Sequence, residues 1–77
     1  MISAYILTQA GLAGDGKELH SALHAVPGVK TVHFLAGPTD GIIFAEVADQ
    51  AALLQTLGKI RAVKGVTGTD TRIVWPM

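Results

Sequence analysis

Apolar positions along the chain fall into four short strand-like runs and two helical stripes. The run SAYILT (3–8) is rich in strand formers and predicts a first strand over residues 2–9. AGLAGDGKE (10–18) breaks it with three glycines. Asp15, with Glu18 three places on, has the spacing of a capping box that opens a helix. Leu19, Ala22, Leu23 and Val26 then recur at helical intervals and predict one buried stripe. Pro27 disfavours helical geometry at Val26, and Gly28 suits a left-handed cap.

VKTVHFLA (29–36) reads as the second strand and GPTDG (37–41) as a turn, with Pro38 and two glycines supplying its dihedrals. A third strand, GIIFAEVA (41–48), completes a hairpin and runs into Asp49, a suitable N-cap. Leu53, Leu54, Leu57 and Ile60 predict the buried stripe of a second helix that ends at Val63-Lys64-Gly65. Gly58 inside that helix costs about 1 kcal/mol relative to alanine, which points to close packing there. VTGTDTRIVW (66–75) reads as the last strand.

The joint AVPGV (25–29) returns as AVKGV (62–66), 37 places later. The same shift lays Leu23 on Ile60, Gly28 on Gly65, Ile6 on Ile43 and Leu7 on Phe44. Two copies of strand–helix–strand give β-α-β-β-α-β, the ferredoxin-like order, an α+β fold with one four-stranded antiparallel sheet and both helices on one face. Right-handed crossovers put the first and third strands at its centre. The second and fourth, carrying Lys30, His33, Asp70 and Arg72, become the edges. A sheet covered on one face should alternate apolar and polar residues. Here Ile2, Ala4 and Ile6 alternate with Tyr5 and Leu7, and Ile43, Ala45 and Val47 with Ile42 and Phe44. Both faces are apolar, so the face without helices calls for a second copy: a sheet-to-sheet homodimer, a dimeric α/β sandwich or barrel.

Composition agrees. Seventy-seven residues are read as one domain, 1–77, near the lower limit for a self-sufficient core. With no cysteine, disulfide and thiolate-metal staples are excluded, which leaves self-association. Six basic residues balance six acidic ones without a basic stripe, which argues against direct nucleic-acid binding. Lys59, Arg61 and Lys64 lie where cations favour a helix C-terminus. No apolar run has the length of a membrane span, and the N-terminus lacks a secretory pattern, so the expectation is a cytoplasmic protein.

Taken together, ALHAVPGV, the GPTDG turn entering an apolar strand, and GVTGTDTRIV resemble the effector-binding domain of the Lrp/AsnC transcription regulators, also called the RAM domain. The resemblance covers essentially the whole chain. Family regulators carry an N-terminal helix-turn-helix domain; this chain starts at what would be the effector domain's first strand, so it resembles a stand-alone effector module or a piece cut to it. The resemblance implies face-to-face dimers and higher oligomers of dimers, with an amino acid or similar small metabolite held between dimers. It also implies that partners, such as full-length Lrp/AsnC regulators, carry the signal to transcription. Carried over by position, its effector-binding residues are Gly37, Thr39 and Asp40 in the turn, and Thr69 and Thr71 in the last strand. The chemistry suits an amino acid: backbone N–H groups beside glycine bind a carboxylate, Asp40 can accept from an ammonium, and threonine hydroxyls donate or accept. The same Gly-Pro-x-Asp-Gly is also simply a good hairpin turn.

No enzymatic activity, cofactor or metal is expected. His20 and His24 have the spacing of metal ligands, but no third ligand accompanies them. His33 and Glu46 would serve as acid and base only if they share a face. GLAGDG lacks the ending of a phosphate loop. Because fold does not exclude catalysis, a small dimeric α/β-barrel enzyme, such as a cofactor-independent monooxygenase using His33 or Tyr5, is the alternative. An ACT-type amino-acid sensor is a third possibility, only faintly echoed by Gly11-Leu12. Trp75, near the end of the last strand, is expected to pack or to contact another subunit.

Overall fold

A computed structural model of the chain describes residues 1–11 and 16–75. Its elements are β1 (Ile2–Ala10), α1 (Lys17–His24), β2 (Val29–Phe34), β3 (Gly41–Val47), α2 (Gln50–Ala62) and β4 (Val66–Ile73). They build one antiparallel sheet in the order β2-β3-β1-β4, so the most apolar strands are central as expected. This is the ferredoxin-like β-α-β-β-α-β fold. Among the described residues no helix is long and apolar enough to cross a membrane.

The internal repeat survives as geometry. Ile6 and Ile43, one repeat apart, are cross-strand partners at the middle of β1 and β3. Leu23 and Ile60 are both fully buried beneath their helices. The two joints are bonded alike. Val26 N–H donates to Leu23 O (3.2 Å) as Val63 N–H does to Ile60 O (3.1 Å), and Val29 N–H donates to Val26 O as Val66 N–H does to Val63 O. Gly28 and Gly65 take φ of 94° and 106°, the region that favours glycine. A Cβ on Gly28 would meet Val47 Cγ1 at 2.8 Å and Thr56 Oγ1 at 3.0 Å. Gly28→Ala should therefore cost about 2–3 kcal/mol by urea denaturation, from the left-handed backbone plus the clash.

Several expected details shift. Residues 35–36, 48 and 74–75 lie outside the strands, because the paired ladders of β2, β3 and β4 end at Phe34, Val47 and Ile73. β2 also carries a bulge, with Val29 opposite Ala45 but Thr31 opposite Phe44. α1 starts after a left-handed Gly16 with no side-chain cap, and the expected cap at Asp15 falls outside the described residues. Ala22 is exposed, and the buried residues of α1 are Leu19 and Leu23. Asp49 caps α2 as expected, accepting from Ala52 N–H at 2.8 Å.

The buried face of α2 is Leu53, Thr56, Leu57 and Ile60, and Leu54 is 70% exposed. Thr56 occupies the place expected for Leu54, and its hydroxyl is satisfied there by donating to Pro27 O at 3.0 Å. Nor is Gly58 closely packed: among the described residues a Cβ there would meet nothing within 4 Å. Gly58→Ala should consequently raise stability by about 1 kcal/mol, opposite in sign to Gly28→Ala.

Candidate functional site

The hairpin tip is tied to the rest of the sheet by Asp40. β3 begins at Gly41 opposite Thr8, so the Ala10 N–H lies past the end of that ladder. The Asp40 carboxylate takes it, with Oδ2 accepting from Ala10 N–H at 3.0 Å. Asp40 N–H donates to Thr8 O at 3.1 Å, and Leu35 N–H donates to Asp40 O at 2.8 Å. Asp40 is thus a clip as well as a candidate ligand-binding group. Thr39 is half-buried, and Gly37 is exposed at φ 137°. Beside the clip, a crevice lined by Thr8, Leu19, Leu23, Val32 and Phe34 holds about 10 Å³ of free space, enough for roughly one water and not for an amino acid.

Thr69 and Thr71 lie elsewhere. They pair with Thr8 and Ile6 and so share the helix-covered face of β4. Gly41 and Thr69 both flank Thr8 from opposite sides, so two strand spacings, about 10 Å, separate the turn from the last strand. A single chain does not gather the five residues into one pocket. On β4, Thr69 Oγ1 accepts from Arg61 Nε–H at 3.0 Å, while Thr71 Oγ1 is buried with no hydrogen-bond partner among the described residues. The sequence had marked Arg61 only as a helix-terminal cation; its pairing spans the turn between α2 and β4, and no short motif signals it.

The face of the sheet without helices is apolar at its centre. Tyr5 and Phe44 pack there with ring centroids 5.0 Å apart, flanked by half-buried Leu7 and Ile42. Polar groups sit around them. Ser3 Oγ donates to Glu46 at 3.3 Å, and Arg72 bonds both oxygens of Asp70, at 2.8 and 3.1 Å. Hydrogen bonds from Arg72 hold the Asp70 carboxyl below its ordinary range, with the charge of Arg72 adding and desolvation opposing. Any stability from this pair is present above the ordinary aspartate range and is lost as pH falls through the lowered value; full exposure keeps it small.

His33 shares this face with Glu46, yet it pairs with Ile42, four residues from Glu46 along β3, or about 13 Å. The two are not an acid–base pair within one chain. His20 and His24 stack with centroids 6.0 Å apart, and His20 Nε2 is engaged by Val32 O at 3.1 Å. Among the described residues no group of three metal-ligating side chains forms.

Comparison with known proteins places this geometry. The model of the Lrp/AsnC ligand binding domain matches residues 6–75. The crystal structure of FFRP-DM1 superposes with a TM-score of 0.86 at 32% identity, covering 97% of this chain and 100% of that one. The transcriptional regulator NMB0573 of Neisseria meningitidis, solved with L-Met, superposes at 0.82 and 24% identity; 96% of this chain spans 49% of that protein, a likeness of fold. A homocitrate synthase of Sulfurisphaera tokodaii is 42% identical over 52 residues, which are 68% of this chain but 11% of the enzyme. By the match over residues 6–75, the chain belongs to the Lrp/AsnC ligand-binding-domain family.

Proposed function

We propose that this chain is a single regulatory module, without catalytic activity of its own, that binds an amino acid or similar small metabolite in the cytoplasm. Two copies join through their open sheet faces, and the effector sits between neighbouring dimers, where it favours the assembly that completes its pocket. The signal passes to transcription through partners such as full-length Lrp/AsnC regulators. The observation that carries this reading is the separation of Gly37, Thr39 and Asp40 from Thr69 and Thr71, which leaves each group half a site until a second chain brings the other. The L-Met bound by the Neisseria regulator supports an amino-acid effector, and the likeness to a small part of a homocitrate synthase supports a module able to serve different outputs.

Thermal shift against the twenty amino acids, with sedimentation alongside, tests this. An effector at a hundred times its Kd adds about 2.7 kcal/mol. In a domain of this size that raises the Tm by roughly 10–20 °C. A change in assembly size should accompany it. No response in either measurement would refute the reading.

A further inference from the structure

β4 is an edge strand, and one bond fixes which of its backbone groups face outward. Val74 N–H donates to Ser3 O at 2.8 Å, in the register that pairs Ala4 with Ile73. Antiparallel ladders alternate, so Arg72 and Asp70 also turn their backbone groups toward β1. Thr69, Thr71 and Ile73 therefore each present a donor and an acceptor on the free edge.

The two edges of the sheet are not equivalent. β2 is six residues long, carries a bulge between Val29 and Thr31 and exposes Lys30, features that discourage pairing with another chain. β4 is eight residues long, keeps its register from Gly68 to Ile73 and contains neither lysine nor proline. Its charges are arranged for pairing with itself. Hydrogen bonding requires outward residues to meet outward residues, so an antiparallel copy shifts only in steps of two. With Thr71 on the two-fold axis, Asp70 lies opposite Arg72 of the second copy, and Arg72 opposite its Asp70. One step either way sets Asp70 against Asp70, or Arg72 against Arg72, and like charges directly opposite oppose pairing. The centred register makes about six backbone hydrogen bonds between the copies. Asp70 and Arg72 already bond each other within the chain, so around the axis four charges alternate in sign.

We propose that β4 is a second self-association surface, where two copies of this chain join edge to edge, antiparallel about Thr71, into one continuous sheet. The inference rests on the open-face pairing proposed above. Backbone bonds exchanged for bonds to water give little net gain, so a single edge joint does not offset the cost of association. A face-paired dimer offers two β4 edges, and the joint links such dimers into larger assemblies. The contact is isologous, the same patch on both copies, and its register is set by charge.

Sedimentation velocity of the full chain over a concentration series at low salt tests the joint. The wild type should pass from dimer to larger species. Asp70→Arg and Arg72→Asp each set like charges opposite one another, so the larger species should need about 10-fold more protein or more. Mixed in equal amounts, the two variants oppose arginine to aspartate at both positions, and the larger species should return. Both side chains are exposed, so each variant should keep its fold. Ile73→Pro, at an exposed position, removes an outward N–H that β1 does not use, and should also stop at the dimer. If the variants assemble like the wild type, or the mixture restores nothing, the joint is refuted while the face-paired dimer stands. A wild type that stops at the dimer refutes it equally. A wild type that is monomeric throughout removes both.

Discussion

Phe44→Glu should turn an associated protein into a folded monomer. Phe44 packs on Tyr5 at the centre of the uncovered sheet face, with Ile42 on the same strand and Leu7 on the next. If two copies close over this face, each substitution carries a carboxylate into an apolar contact with no cation on the same row nearer than Arg72, which Asp70 already engages. Desolvating an unpaired charge costs several kcal/mol, so the dimer Kd should rise by about 10³-fold or more. Sedimentation velocity over a concentration series reads this directly. Ala51→Glu, on the exposed side of α2, is the control and should leave association unchanged. Circular dichroism should show a retained fold, because Phe44 is only half-buried within its own chain. A wild type that sediments as a monomer at micromolar concentration, or a Phe44→Glu that still associates, would remove the sheet-to-sheet contact.

The second large effect separates two leucine-like positions on one helix. Ile60→Ala should cost about 2–5 kcal/mol, the usual range for emptying a fully buried aliphatic site. A core of this size often supplies only about 3–5 kcal/mol, so the variant should be largely unfolded when dilute. Leu54→Ala, at a position 70% exposed, should stay within about 0.5 kcal/mol of the parent. Both replacements favour helix, so propensity does not separate them. Urea denaturation at equal protein concentration provides the comparison. Equal losses would mean that the face of α2 has been assigned wrongly.

The pair also marks what sequence reasoning reaches. Leu53, Leu54, Leu57 and Ile60 all satisfy helical periodicity, and periodicity alone does not choose between neighbouring arcs of a helix. The observed rotation buries Thr56 in place of Leu54 and lets its hydroxyl reach Pro27 O, 29 residues away. Gly58 was misread for a related reason. A glycine in a helix signals a missing side chain, but whether another element fills the space depends on the helix rotation. Gly28, in contrast, was legible, because a left-handed cap before a strand is a local requirement. In the candidate site the turn residues were visible as turn chemistry, whereas Arg61 was visible only as a charge.

From the order of residues alone came the six elements, their duplicated joint, the central places of β1 and β3, and the apolar character of both sheet faces. Each of these depends on patterns with periods of two to four residues or on a repeat of 37, which the chain carries without help from its fold. Tertiary structure alone decided that Asp40 clips Ala10 from 30 residues away and that Arg61 meets Thr69. Those facts follow from sheet register and helix rotation, which are set by many weak contacts acting at once and leave no local signature.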